Sequence, residues 1–124
     1  MGLDMYLYRR TKDGGKEEEI YWRKANAIHR YFTHDWEERG FEDDNFTEFS
    51  VTKQDLVELA ELCEEVLDKH EDAPYLLPTQ SGFFFGSLEY DDWYFKVIRF
   101  TRDEVNRLLN DSTDEDEFFY YAWY

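Results

Sequence analysis

Three histidines, one cysteine and a surplus of carboxylates are the side chains through which this sequence could do metal or nucleophilic chemistry. His29 and His34 are five residues apart, a spacing that turns two imidazoles to different sides of a helix. No H-x-x-x-H or C-x-x-C pair accompanies them, so no metal site is expected. Glu42-Asp43-Asp44 lacks the alternating ligands and central glycine of a calcium loop and reads as a solvated run of charge. Cys63 lies on an apolar stripe beside Glu61, Glu64 and Glu65, surroundings that keep a thiol protonated, so it reads as a buried structural residue. Thr79-Gln80-Ser81-Gly82 lacks the first glycine of a G-x-S-x-G elbow, and no phosphate loop, dinucleotide fingerprint or kinase motif occurs. Among 30 acidic residues, no one pair of carboxylates stands out as an acid–base couple. An enzyme using His29 as acid or base is the weakest reading, because neither a nucleophile nor a cofactor motif goes with it. The chain is expected to have no catalytic residues and no cofactor.

Two segments break the acidic background. The first, Tyr21-Trp22-Arg23-Lys24-Ala25-Asn26-Ala27-Ile28-His29-Arg30, gathers three cations near an expected helix start, where the macrodipole disfavours positive charge. On a helix, Arg23, Asn26 and Arg30 share one face, and Trp22, Asn26 and His29 the adjoining one. Such a face could offer donors to an anionic or planar ligand. It could equally pair its cations with the chain's own carboxylates while Asn26 satisfies loop backbone. The second segment, Leu77 to Ser87 in sequence Leu-Pro-Thr-Gln-Ser-Gly-Phe-Phe-Phe-Gly-Ser, places small polar residues before a glycine and an aromatic run. Glycines beside a strand admit close approach of a ligand or another chain, whereas small polar side chains also serve local backbone groups. The ligand-binding residues expected from these segments are Trp22, Arg23, Lys24, Asn26, His29, Thr79, Gln80, Ser81 and Gly82, and the two segments must converge for them to act together.

The elements that must position these residues follow from periodicity. Residues 3–9 alternate, with Leu3, Met5 and Leu7 on one side and Asp4, Tyr6 and Tyr8 on the other, which is a strand. Asp13-Gly14-Gly15 turns the chain into a return strand over 18–22. A helix is expected over 23–38, with Gly40 ending it. A short strand over 46–51 leads to Thr52-Lys53-Gln54-Asp55, a capping box that starts a second helix. Its buried stripe is Leu56, Leu59, Cys63, Val66 and Leu67, and it ends near His70, before a break at Ala73-Pro74. A loop and short strand over 83–87 follow. Residues 93–100 alternate and read as another strand, Thr101-Arg102-Asp103-Glu104 as the cap of a short helix, and 118–124 as a terminal strand with rings on both faces. The expectation is a single α+β domain over 1–124, with five or six mostly antiparallel strands, two longer helices and one short one.

Composition narrows the function classes. The chain has 124 residues with a net charge of −16, and 20% of it is aromatic, as 11 Phe, 10 Tyr and 4 Trp. So many rings exclude ordinary disorder, and so much negative charge argues against binding nucleic acid or anionic lipid directly. No apolar run is long enough to span a bilayer, and the acid at Asp4 within a short apolar opening argues against a signal peptide. A lone cysteine fits a reducing cytoplasm. The charge also exceeds the magnitude of about 2 to 8 that serves solubility in a small domain. Glu58, Glu61, Glu65 and Asp68 step by three and four, and Asp72 extends the stripe if the helix reaches it. Such a stripe carries an acid every ~5 Å along the axis, against a phosphate every ~3.4 Å on a DNA strand.

The opening Met-Gly-Leu-Asp-Met-Tyr-Leu-Tyr, the block Tyr-Trp-Arg-Lys-Ala-Asn-Ala-Ile-His at 21–29 and the block at 77–87 followed by Tyr90-Asp91 resemble a family of small proteins encoded by phages and prophages. The resemblance covers most of the chain and implies an accessory protein acting in the bacterial cytoplasm, with no assigned activity to carry over. Two readings result. One is an acidic protein that binds and blocks or modulates a host component, such as a defence system, through Glu58, Glu61, Glu65 and Asp68, mimicking nucleic-acid charge against a basic groove. The other is a binder of an anionic or nucleotide-like small molecule between the two segments. An oligomer is compatible with either.

Overall fold

Alternation of apolar and polar side chains over the first residues produces strand β1 (Asp4–Arg10), which pairs antiparallel with β2 (Lys16–Arg23). The turn between them closes through Thr11 N–H to Gly15 O at 3.0 Å and Gly14 N–H to Thr11 O at 2.9 Å, with Gly14 at φ +86°, a conformation that glycine adopts without a side-chain clash. The computed structural model describes residues 2–82 and 84–124.

Helix α1 (Asn26–Thr33) is shorter than the expected 23–38. Trp22 and Arg23 still belong to β2, and the chain leaves the sheet through Lys24 in a left-handed conformation, φ +54°. Strand β3 (Glu48–Val51) precedes α2 (Lys53–Asp68), whose capping box forms as its sequence predicts. Asp55 N–H donates to Thr52 Oγ1 at 3.0 Å, and Thr52 N–H donates to Asp55 Oδ2 at 2.9 Å. Leu56, Leu59, Cys63 and Val66 are buried along it. The helix ends at Asp68 rather than near His70. Ala73-Pro74 does not break the chain but opens a further short helix, α3 (Ala73–Leu76), because a proline in a first turn has no N–H that needs a partner.

The largest departure is α4 (Asp92–Asp111), a helix of 20 residues where a strand over 93–100 and a short helix from Thr101 were expected. Asp91 caps it, its Oδ1 accepting from Tyr94 N–H at 3.0 Å. Aromatic and β-branched residues over 93–100 favour a strand locally, but propensity yields to packing. Tyr94, Ile98, Thr101, Val105 and Leu108, spaced four, three, four and three, are the residues α4 buries. Thr101 is therefore mid-helix and not a cap. Its hydroxyl donates to Val97 O at 2.7 Å and accepts from Trp22 Nε1 at 2.9 Å. Residues 84–87 form no strand, and Phe83 lies outside the described residues.

The last strand, β4 (Glu117–Trp123), enters the middle of the sheet between β1 and β3, giving four antiparallel strands in the order β2-β1-β4-β3. The fold is α+β with four strands, fewer than expected, since two predicted strands are a helix and an irregular segment. Met5, Leu7, Ile20, Trp22, Phe49, Val51, Phe118, Tyr120 and Ala122 share one sheet face and join the buried helix residues in a single core. The helices therefore cover one face of the sheet. No helix among the described residues is long and apolar enough to cross a membrane.

Candidate functional site

The two segments singled out in the sequence do converge, at α1. Asn26 is buried and bonds through every face of its amide. Nδ2 donates to Phe85 O and Ser87 O, both at 3.0 Å, and Oδ1 accepts from Gln80 N–H at 3.0 Å. Asn26 thus clamps the irregular 79–87 segment onto the domain. Thr79 Oγ1 donates to Leu88 O at 3.0 Å, and Thr79 N–H donates to the Tyr90 hydroxyl at 3.1 Å. These bonds fold the segment on itself instead of leaving donors for a ligand.

His29, one turn along α1, is fully buried. Its Nε2 lies 3.0 Å from Asp44 Oδ2 and its Nδ1 lies 2.6 Å from the Tyr120 hydroxyl. A carboxylate only accepts, so Nε2 carries a proton; Tyr124 donates its hydroxyl to the other oxygen of Asp44. Burial alone would raise the Asp44 carboxyl, but the bonds from His29 and Tyr124 outweigh it and bring it from 3.8 to about 2. Burial first, and then the Asp44 carboxylate, hold the hydroxyls of Tyr120 and Tyr124 well above the ordinary range for tyrosine. Asp44 is therefore not part of a solvated charge run but a buried anion. Asp44 and Tyr120 had no signal in the sequence, because they are 15 and 91 residues from His29, and Tyr124 is farther still.

The other expected ligand residues scatter. Trp22 is buried with its indole N–H on Thr101. Arg23 is exposed and pairs with Asp4 at 3.3 Å, and Asp4 also accepts from Tyr21 at 2.5 Å. Lys24 supplies backbone, its N–H donating to Leu3 O at 2.7 Å. Ser81 and Gly82 are exposed. A side chain at Gly82 would lie 2.7 Å from the Phe85 ring, so the glycine serves local packing. Of the nine expected ligand residues, direct contact joins Asn26 to Gln80, and it is a scaffold contact.

The four acids expected to meet a partner, Glu58, Glu61, Glu65 and Asp68, are exposed on α2. Among the described residues none of them pairs with a cation, whereas Glu19, Asp111 and Asp116 share Arg9, Glu48 holds Lys16 and Glu64 holds Arg102. Asp72 does not extend this stripe, since α2 stops at Asp68 and the chain turns at Lys69. Cys63 is buried, and desolvation pushes its thiol up to about 12. Among the described residues no group of three or more His, Cys, Asp or Glu is placed to hold a metal ion.

The surface least legible in the sequence is the second face of the sheet. The register sets Tyr21, Tyr6 and Tyr121 in one cross-strand row, Tyr8 beside Phe119 in the next, and Trp123 opposite Asp4. None of these six rings belongs to the helix-packed core. They pack on one another, with centroids 5.3 Å apart for Tyr6–Tyr21 and 5.9 Å for Tyr6–Tyr8, while Phe46 leans on Tyr121 and Trp123 at 6.5 Å from each. Two cations already lie on ring faces: the Arg10 guanidinium 4.6 Å above Phe119 and the Lys16 ammonium 4.8 Å from Tyr8. A shallow hollow of about 410 Å³ opens between Tyr8, Phe46 and Tyr121. Phe46 is 63% exposed and Tyr21 42% exposed, Tyr6, Tyr8, Tyr121 and Trp123 are half-buried and Phe119 is buried, so this face is an aromatic layer, edged by charged side chains, outside the helix-packed core. No family model, no curated protein and no solved structure matches the chain.

Proposed function

We propose that the protein is a phage-encoded accessory protein that works by non-covalent binding to a basic host protein in the bacterial cytoplasm, blocking or modulating it. The observation that carries this reading is the sheet face of Tyr6, Tyr8, Tyr21, Phe119, Tyr121 and Trp123, which the helices leave uncovered. Contiguous exposed apolar surface on a small domain marks an interaction site, and tyrosine and tryptophan are the residues that concentrate binding energy there. The partner's chemistry follows from charge. A domain of −16 attracts a basic surface and repels nucleic acid, and the exposed rings of Tyr21 and Phe46 suit a partner's arginines and lysines in the cation–ring arrangement that Arg10 on Phe119 and Lys16 on Tyr8 already show. Glu58, Glu61, Glu65 and Asp68 on α2 add long-range attraction, the form in which charge mimicry enters this reading.

The test compares three baits in pull-downs from bacterial lysate: the native chain, the double variant Tyr6→Ser with Tyr121→Ser, and the fourfold reversal of Glu58, Glu61, Glu65 and Asp68 to Lys. Each bait is first shown to unfold cooperatively. The reading requires a partner that the native chain retains and the double variant loses. A partner held equally by the native chain and the double variant removes the sheet face from the account.

A further inference from the structure

Phe46 stands at the open face of the sheet in a conformation that its own side chain disfavours. Its φ is +55°, in the left-handed region that a bulky residue rarely adopts, and the residue is 63% exposed. Burial of the ring does not account for that strain. The backbone is nevertheless pinned to the end of β4. Phe46 N–H donates to Ala122 O at 2.9 Å, and Asn45 exchanges two bonds with the backbone of Tyr124, at 3.0 and 3.3 Å. Strain of this kind concentrates at ligand clamps, where the surrounding structure over-determines it.

The ring walls the hollow of about 410 Å³ together with Tyr8, Lys16, Glu48 and Tyr121. Lys16 comes from β2 at one edge of the sheet and Glu48 from β3 at the other, and the two meet over the rings. The ammonium lies 4.8 Å from the Tyr8 centroid and 2.8 Å from Glu48 Oε2. The chain itself thus seats a cation on an aromatic face with a carboxylate as counter-ion. Capacity remains for a second one. Among the described residues, Glu48 Oε1 makes no hydrogen bond or ion pair. Glu18, opposite Tyr8 in the register and so on the same face, is exposed and makes no ion pair among the described residues. Arg10, the other cation of this face, lies over Phe119 with Glu117 opposite it in the register. Glu18, Glu48 and Glu117 therefore outnumber Lys16 and Arg10 around the rings.

We infer, on the basis of the sheet face being the partner surface, that this hollow takes one arginine side chain of the basic partner. Its guanidinium lies against the Phe46 and Tyr121 rings and donates to Glu48 Oε1. Arginine fits better than lysine because a planar guanidinium stacks on a ring and reaches a carboxylate sideways at the same time, whereas an ammonium is a compact, strongly hydrated charge. The pinned backbone at Phe46 keeps the ordering cost of binding low. The volume is near the lower end of the range of about 300–1,000 Å³ for ligand sites, which suits a single side chain.

The experiment titrates the full chain with N-acetyl-arginine amide, which presents the side chain as a protein does. The lysine analogue, the uncharged citrulline analogue and free arginine are titrated alongside. NMR follows the aromatic resonances of Tyr8, Phe46 and Tyr121, with Trp93 on α4 as the reference. Saturable shifts are expected at the three sheet rings and none at Trp93. The lysine analogue should bind more weakly, and the citrulline analogue more weakly by about fivefold or more, the size of a lost cation–ring and charged hydrogen-bond contact. Glu48→Gln should weaken binding by about threefold, as for one exposed charge pair. Phe46→Asn removes the ring but keeps a residue that tolerates the left-handed backbone, and should weaken binding by about threefold. Lys16→Gln removes the competing cation and should strengthen binding by about twofold or more. Lys96→Gln removes the same charge from α4, on the far side of the sheet, and should change nothing. The inference is overturned by absence of saturable shifts at Phe46 and Tyr121, or by equal affinity for the arginine and citrulline analogues. Tighter binding of free arginine than of the amide also overturns it, as do equal effects of Lys16→Gln and Lys96→Gln. The titration and the pull-down fail separately. Saturation by the amide with no partner retained from lysate keeps the arginine site and removes the partner. A partner lost by the Tyr6 and Tyr121 double variant, without saturation by the amide, keeps the face and removes the arginine site.

Discussion

The α1 side of the domain and the open face of the sheet invert the usual expectation for polar and aromatic residues. Around α1, Asn26, His29 and Asp44 are polar or charged, and all are buried with their hydrogen-bonding groups engaged. Among the described residues no buried side-chain nitrogen or oxygen lacks a partner. Across the sheet, Tyr21 is exposed and Tyr6, Tyr8, Tyr121 and Trp123 are half-buried, so these rings stay outside the helix-packed core and partly in water. A polar group that is completely satisfied inside has nothing left for a ligand. A ring left partly outside retains surface that a partner can bury. The polar segments that looked like a site are thus scaffold, and the rings on the far side of the strands are the candidate contact surface.

The comparison breaks most sharply at Asn26. Asn26→Asp would turn an oxygen toward the carbonyls of Phe85 and Ser87 and remove both donated bonds. A loss of about 2–4 kcal/mol in urea-induced unfolding is expected, from the cost of leaving buried polar groups unpaired. A loss below about 0.5 kcal/mol, the range of an ordinary surface substitution, would show that Asn26 is not the clamp. The double variant Tyr6→Ser with Tyr121→Ser should do the opposite. Partner affinity should fall by about 2 kcal/mol or more, as for interface anchors, while stability falls by about 1 kcal/mol or less, as for lost cross-strand pairs. Equal losses in both measurements would place these rings in the scaffold class.

Asp44 sharpens the scaffold side. Its carboxyl is held at about 2 in the folded chain against an ordinary 3.8. A depressed value means that the ionised form favours folding: the contribution is present above pH ~4 and disappears as the pH falls toward ~2. Asp44→Asn should lower stability at neutral pH and flatten the acid limb of the stability profile between those limits. An unchanged slope would place the acid sensitivity elsewhere. The smallest effect on folding is expected from reversing Glu58, Glu61, Glu65 and Asp68, which are exposed and make no ion pair among the described residues. Their ΔΔG of unfolding should stay within about 0.5 kcal/mol each. Association with a basic partner should slow and lose its salt dependence, with dissociation nearly unchanged, because screened long-range attraction acts on the on-rate. A reversal that alters dissociation alone would move these acids into the contact itself.

Much of this was legible along the chain, and the limits have a common cause. Alternation in β1, the Asp13-Gly14-Gly15 turn and the Thr52–Asp55 box are patterns in which the interacting groups lie within a few residues, so they could be read directly. The convergence of Asn26 with Gln80 was also expected, and of the two readings of that segment the bonds bear out the one in which Asn26 satisfies loop backbone. Residues 93–100 were misread because alternating large side chains fit a strand as well as a helix, and the choice belongs to α2, against which α4 packs. The position of β4 between β1 and β3, the Asp44–His29–Tyr120 contacts and the bare sheet face depend on residues far apart in sequence. The sequence by itself determined the fold class, the acidic surface and the two-sided rings of the strands, because periodicity and charge are local properties of the chain. The tertiary structure alone decided which face of the sheet was covered, because burial is a property of an element together with its neighbours.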